Sequence, residues 1–267
     1  MNRLLITTLL LLFTNPLLHA ERDSSTCCHL MLHGGAAYGL YRDMGTSPLT
    51  YRGIQAAPGI SLSVENSQWS YEALLLTDAG AYGLKLGIDY IQSYGGHPLV
   101  GFGIWRNLYA DSRWRMWLGG VVDDLFDIRY NRSLGNASAA FGNFARLHVD
   151  GRVEYRLSRW LLHARLQLNL LTLNYRPGFA YMDNFDQEIS DPTANTFDQY
   201  RSYASLASSA HTDVGATYCL NNGNKVGVSY RWTYLTSRTT AAAPHLFESA
   251  DHALLFHLGF ALTDKKR

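Results

Sequence analysis

Residues 160 to 175 read WLLHARLQLNLLTLNY, in which His163, Arg165, Gln167 and Asn169 alternate with Leu162, Ala164, Leu166, Leu168 and Leu170. A period of two residues is that of a β-strand. A soluble sandwich would turn the apolar row to a core, and an outer-membrane barrel would turn it to lipid, so one strand leaves both open.

The pattern recurs along the chain. Leu30 to Leu40 carries Leu30, Leu32, Gly34, Ala36, Tyr38 and Leu40 opposite His29, Met31 and His33, and the loop RDMGTSPLTYRG follows. Ile54 to Glu65 is bent around Pro58-Gly59 and closed by the turn Asn66-Ser67-Gln68. Trp69 to Tyr94 changes phase near Asp78-Ala79-Gly80, which reads either as a bulge in one long strand or as a turn between two short ones. After a turn at SYGGHP come Val100 to Leu108, the turn Asp111-Ser112, Trp114 to Tyr130, the loop NRSLGNASAAFG and Ala145 to Tyr155. A turn at Leu157-Ser158 leads into 160–175, whose parity slips at Leu170-Leu171 as at a bulge. The segment 176–203 is long and polar, and the strands Leu206 to Leu220, Lys225 to Ser237 and His252 to Leu262 close the list, with NNGN between the first two.

Short and long connections alternate along this series. Outer-membrane barrels have tight periplasmic turns and longer external loops, whereas a sandwich has no reason to sort its loops. The expected fold is all-β, a transmembrane antiparallel up-and-down barrel of about ten strands. Twelve is the alternative if 69–94 is a hairpin. Both termini then fall on the periplasmic side.

The N-terminus agrees with export. Arg3, the apolar run Leu4 to Phe13 and Leu18-His19-Ala20 form the pattern of a signal peptide, since ten apolar-rich residues fall short of the roughly 20 that a membrane helix needs. The expected organisation is a signal peptide at 1–20, a periplasmic segment at 21–28, the barrel at 29–263 and a basic tail at 264–267. Ser24-Ser25-Thr26-Cys27 behind Glu21-Arg22-Asp23 is a poor lipidation site. With 23 Lys and Arg against 22 Asp and Glu, the chain has no net field to attract nucleic acid. Its 17 Tyr and 6 Trp fit aromatic belts at the lipid interfaces.

Given this topology, the polar rows meet in the lumen. One strand brings Arg115, Asp123, Asp127 and Arg129, the next Arg146, His148, Asp150, Arg152 and Glu154, and the third His163 and Arg165. Further round lie His211, Asp213, Lys225, Arg231 and His257. A barrel of eight to ten strands is roughly filled by its side chains, so these charges are expected to neutralise one another as a buried network. The sharper reading is catalytic. His211 with Asp213, and His148 with Asp150, each place an imidazole and a carboxylate two apart on one face, as a general base and its orienting partner require. The omptin proteases, also ten-stranded outer-membrane barrels, share only this composition, and the serine and histidine of lipid-cleaving barrels have just Ser209 near His211 as a counterpart. Glycine-rich phosphate loops, zinc spacing and calcium loops are lacking, so neither metal nor cofactor is implied.

Cys27, Cys28 and Cys219 are expected at the periplasmic end, either unpaired or packed, or with Cys27 or Cys28 bridged to Cys219. The signal peptide, the alternating strands and the last strand HALLFHLGFAL, with Leu254, Phe256, Leu258, Phe260 and Leu262 outward, resemble uncharacterised outer-membrane β-barrel proteins of Gram-negative bacteria, those of the Bacteroidota among them. The tail TDKKR replaces the terminal Phe usual in proteobacterial barrels. The resemblance implies fold and location and carries no activity. The partners implied are outer-membrane lipid, the barrel-assembly machinery and, at the external loops, an extracellular ligand or an envelope protein. Three functions remain open: a structural or binding barrel acting through its loops, a small-solute or lipid transport barrel, and a surface hydrolase.

Overall fold

The computed structural model describes residues 26–43, 47–86, 89–131, 139–177, 200–238 and 246–262. All of them lie in, or briefly connect, antiparallel strands. The first stave is β1 (Cys27–Asp43) and the second is β2 (Ser47–Ala56) continued by β3 (Gly59–Glu65). The third is β4 (Trp69–Leu76) with β5 (Ala79–Leu86), and the fourth β6 (Asp89–Gly96) with β7 (Leu99–Ala110). Three uninterrupted strands follow, β8 (Trp114–Asn131), β9 (Ala139–Leu157) and β10 (Trp160–Pro177). The eighth is β11 (Tyr200–Ser205) with β12 (Ser209–Cys219), before β13 (Lys225–Arg238) and β14 (Leu246–Ala261). β14 pairs back onto β1 from His29↔Ala261 to Asp43↔Phe247, which closes ten staves into a barrel.

The four split staves have physical causes. β1 pairs with β3 as far as His33↔Gly59 and with β2 from Ala36↔Ala56, so one register runs straight across Ala57-Pro58. Pro58 and Pro98 have no N–H to give the ladder. At the row they create, one bond per step survives: Thr77 N–H to Pro58 O at 3.0 Å, His97 N–H to Asp78 O at 2.7 Å, and Phe126 N–H to Pro98 O at 2.8 Å. The phase change at Asp78-Ala79-Gly80 is thus an interruption opposite a proline, and it is neither a turn nor a bulge. SYGGHP is likewise no turn but part of the fourth stave, because Leu76↔Leu99 and Ala79↔Gly96 share one register. The reversal falls between Leu86 and Asp89. The expected count of ten holds, with a different boundary between the third and fourth staves.

The bulge expected at Leu170 is present, with the register against β9 shifting between Asn169 and Leu171. The other neighbour breaks at Leu206-Ala207, where Ala207 has φ 49°. Asn169 ties the two irregularities together. Its Oδ1 accepts from Thr172 Oγ1, Ser208 N and Ser208 Oγ at 3.0–3.1 Å, and its Nδ2 donates to Leu147 O and Leu171 O.

Four tight turns gather at one end with the start of β1 and the end of β14, where Leu262 N donates to Cys28 O at 2.9 Å. Asn66, Asp111 and Asn222 each accept backbone N–H groups two or three residues on, the Asx turn that a reversal this short favours. In the turn at Ser158-Arg159, Ser158 takes φ 54°. The connections 44–46, 87–88, 132–138, 178–199 and 239–245 all belong to the opposite end and lie outside the described residues, as do 1–25, with the expected signal peptide, and the tail. β1 starts at Cys27, two residues before the expected barrel boundary.

The two faces sort as the parity predicts. Leu166 is 46% exposed while its neighbour Gln167 is 5% exposed. The outward row of β8 runs Met116, Leu118 and Val122 and continues to Ile128 and Tyr130, interrupted at Asp124, whose Oδ1 accepts from Asn143 Nδ2. Trp114 against Tyr155 and Trp160 against Tyr218 form an aromatic belt at the tight-turn edge of that apolar band. Such belts sit at membrane–water interfaces.

Candidate functional site: the charged lumen

The inward rows build two different levels. Toward the wide-loop end, Asp43 Oδ2 accepts from Arg129 Nη2 at 2.5 Å and from Arg176 Nη2 at 2.6 Å. Arg129 Nε also donates to Asp127 at 2.9 Å, and His97 Nε2 stands 3.3 Å from the same carboxylate. Aromatic rings pack on the guanidinium planes: Arg129 lies over Tyr41 and Phe247, and Arg176 over Phe144 and Phe247. Stacked, bidentate contacts of this kind suit arginine and would not suit lysine. Tyr51 and Tyr82 pack on Tyr41 beside the cluster. The result is a filled plug, in which Phe144 is fully buried.

Below the plug is a cavity of about 330 Å³ that extends toward the tight-turn end, and six histidines line it. Its walls carry most of the predicted network. Arg115 pairs with Glu65 at 2.5 Å and Arg146 Nε with Asp123 at 2.6 Å. Arg165 holds Asp150 at 2.7 Å and Glu72 at 3.2 Å, and Arg231 holds Asp78 at 3.2 Å. Arg152 donates to Ser70 and stands 3.6 Å from Glu154. The fully buried Trp105 ring lies near both Arg152 and Arg165, with Gly103 leaving its Cα bare where the indole packs. Removing one partner from such a pair costs more than the pair contributes, because the other charge is left buried.

The two histidine–aspartate dyads expected from spacing do not form. Asp213 accepts from His163 Nε2 at 2.8 Å and from Ser229 Oγ at 3.1 Å, while the ring of His211 faces the cavity. Asp150 is taken by Arg165 and by Gln167 Nε2 at 2.8 Å. His148 Nε2 lies 3.2 Å from Asp123, off the line a hydrogen bond needs. Side chains two apart on a strand stand nearly 7 Å apart. Partners on adjacent strands are nearer, and they win. Ser209 is buried without a hydrogen-bond partner at its Oγ and does not engage His211.

The proposed bridge to Cys219 fails for a similar reason. All three cysteines lie at the tight-turn end, but Cys219 reaches β1 only through Lys225, Gly259 and Met31. Three strand spacings of about 4.8 Å separate them. A disulfide needs Cα atoms within about 7 Å, and no bridge to Cys219 is formed.

Sequence reasoning missed Asp43 and Arg176, which it left in loops. Their signal was present: Tyr41 and Asp43 continue the inward odd row of β1, and Thr172, Asn174 and Arg176 continue the inward row after the bulge. It also missed a hydrogen-bonded series around the wall. His257 Nε2 meets Ser229 Oγ at 2.8 Å, His257 Nδ1 meets His33 Nδ1 at 2.7 Å, and His33 Nε2 meets Ser61 Oγ at 3.0 Å. Among the described residues, no group of three or more His, Cys, Asp or Glu is arranged to hold a metal ion.

Among solved structures the chain is similar to the outer-membrane protease OmpT of Escherichia coli, at 10% identity and a TM-score of 0.58 over 89% of this chain and 96% of that one. It is similar more loosely to Neisserial surface protein A, at 9% identity and a TM-score of 0.34 over 86% and 97%. The toluene transporter TodX of Pseudomonas putida gives 10% identity and a TM-score of 0.34 over 92% of each chain. No protein-family model matches the chain, and no curated protein matches it. The likeness is one of fold, and the protein is a β-barrel of the Gram-negative outer-membrane kind.

Proposed function

We propose that the protein is a closed outer-membrane barrel that acts as a structural or binding module through its wide-loop end, with the tight turns and both termini facing the periplasm. The observation that carries this reading is the plug. Asp43, Asp127, Arg129 and Arg176 neutralise one another against aromatic side chains, and none of the four is more than 5% exposed, which supports a lumen closed at that level. In the sequence between β10 and β11, the segment 178–199 carries Asp183, Asp186, Glu188, Asp191 and Asp198, an acidic composition suited to a cationic partner. The hydrolase reading has less support. Neither dyad pairs, and the His163–Asp213 contact lies beneath the plug, away from any large substrate at the loops.

Planar-bilayer recording tests the closed lumen. The wild-type barrel is expected to show no steady conductance, and Arg129→Ala combined with Arg176→Ala is expected to produce it. Steady conductance in the wild type would favour the transport reading instead. An epitope inserted at Asp191-Pro192 should be reached by antibody on intact cells; labelling only after the outer membrane is broken would invert the proposed orientation.

A further inference from the structure

The series around the lower wall has a direction that follows from counting hydrogens. Ser229 donates its single proton to Asp213 Oδ2, so toward His257 it only accepts. His257 Nε2 therefore carries a hydrogen, and the Nδ1 of the neutral ring is a lone pair. That lone pair faces His33 Nδ1 at 2.7 Å, with the rings nearly perpendicular and the centroids 4.9 Å apart. The far nitrogen of each ring is tethered to a serine, Ser61 for His33 and Ser229 for His257. Two imidazole nitrogens that converge while their far nitrogens are held by oxygen are arranged as metal ligands are by their outer shell.

A thioether lies one pleat further along the same wall, on a side chain long enough to swing toward the pair. Met31 is two residues from His33 on the inward face of β1, and its sulfur lies against the bare Cα of Gly259, two residues from His257 on β14. Both histidines and Met31 line the cavity, so an ion has a route to them. Two imidazoles and a thioether fall short of a tetrahedral zinc set and lack the oxygens of a hard-cation site, whereas soft donors in low number suit monovalent copper. We propose that His33 and His257, assisted by Met31, form a binding site for one monovalent soft cation, Cu(I) or Ag(I).

The proton balance is simple. His33 now donates from Nδ1; when the metal binds, that hydrogen moves to Nε2 and Ser61 turns from donor to acceptor. No proton leaves the site. The two Nδ1 atoms part from 2.7 Å to about 4 Å in a linear centre, given metal–nitrogen bonds of about 2.0 Å.

The test is a titration of the folded barrel in micelles with Ag(I) alone, at neutral pH. A Cys27→Ser/Cys28→Ser/Cys219→Ser barrel keeps thiols from taking the probe. One Ag(I) per barrel is expected, with both Nδ1 resonances displaced in the imidazole ¹⁵N spectrum. His33→Gln and His257→Gln should each weaken binding by about tenfold or more. Met31→Leu should give a smaller loss, and His252→Gln, whose ring meets Tyr230 on the outer face, should give none. Should a histidine variant fail to fold, the ¹⁵N spectrum of the thiol-free or the wild-type barrel decides alone, because a merely structural pair would not respond at Nδ1. Unmoved Nδ1 resonances at saturating Ag(I), or full affinity in both histidine variants, would overturn the site.

Discussion

The plug and the histidine wall occupy the same lumen and solve its polarity differently. In the plug the charges are fixed. Two guanidinium groups share one carboxylate oxygen, aromatic rings cover their faces, and space is filled. In the wall one carboxylate, Asp213, is reached by His163 and by a relay of neutral groups that ends at Ser61, and a cavity remains beside it. Permanent charge fills the lumen where aromatic rings cover the guanidinium planes, as at Arg129 and Arg176, whereas the uncapped pairs lower down, such as Arg231 with Asp78, line a cavity. Imidazoles and hydroxyls, which donate or accept as required, leave room and a choice of hydrogen positions.

The largest expected effect comes from the plug. Asp43→Ala leaves two buried guanidinium groups without their shared acceptor and should cost about 3–5 kcal/mol, read as the urea midpoint of the folded barrel. Asp213→Asn removes a charged acceptor from His163 and Ser229 but leaves water-sized space to compensate, so about 1–3 kcal/mol is expected. Equal losses would mean that the two levels are not held differently. A second measurement sets lumen against lipid. Leu166→Arg places a charge on the apolar face near mid-height and should cost about 2–4 kcal/mol, while Gln167→Arg beside Asp150 should cost far less. Similar losses would show the faces to be misassigned.

The contrast between the levels was only partly legible in the chain. Period-two alternation gave the inward rows of β8, β9 and β10 residue by residue, because burial on one face and lipid on the other fix parity over many residues. It could not give partners. His33 and His257 are 224 residues apart, and Asp213 chose His163, 50 residues away, over His211. Spacing within a strand reports direction, and register between strands decides contact. Asp43 and Arg176 were lost where strands run beyond the roughly 9–11 residues a bilayer needs, since polar residues outward from that height read as loop. The row at Pro58, Asp78 and Pro98 misled for a related reason: proline marks turns, but here it marks a missing donor in an unbroken register.

A carboxylate outside the lumen supplies the baseline for both levels, and the smallest effect. Asp111 closes the turn between β7 and β8, and the backbone N–H groups of Trp114 and Arg113, with the hydroxyl of Tyr109, hold its pKa below the ordinary carboxylate value. The folded value is depressed, so its contribution is present above the unfolded value of about 3.9 and is lost as pH falls through the folded one. Asp111→Asn keeps the accepting oxygen and removes the charge. The difference in unfolding midpoint between wild type and Asp111→Asn should be small and constant from pH 7 to about 5, then shrink below about pH 4 as the wild-type carboxyl takes up its proton. A difference that persists unchanged at pH 3 would place its origin in the geometry of the turn, and the fixed charges of the plug would then have to be judged against a neutral baseline.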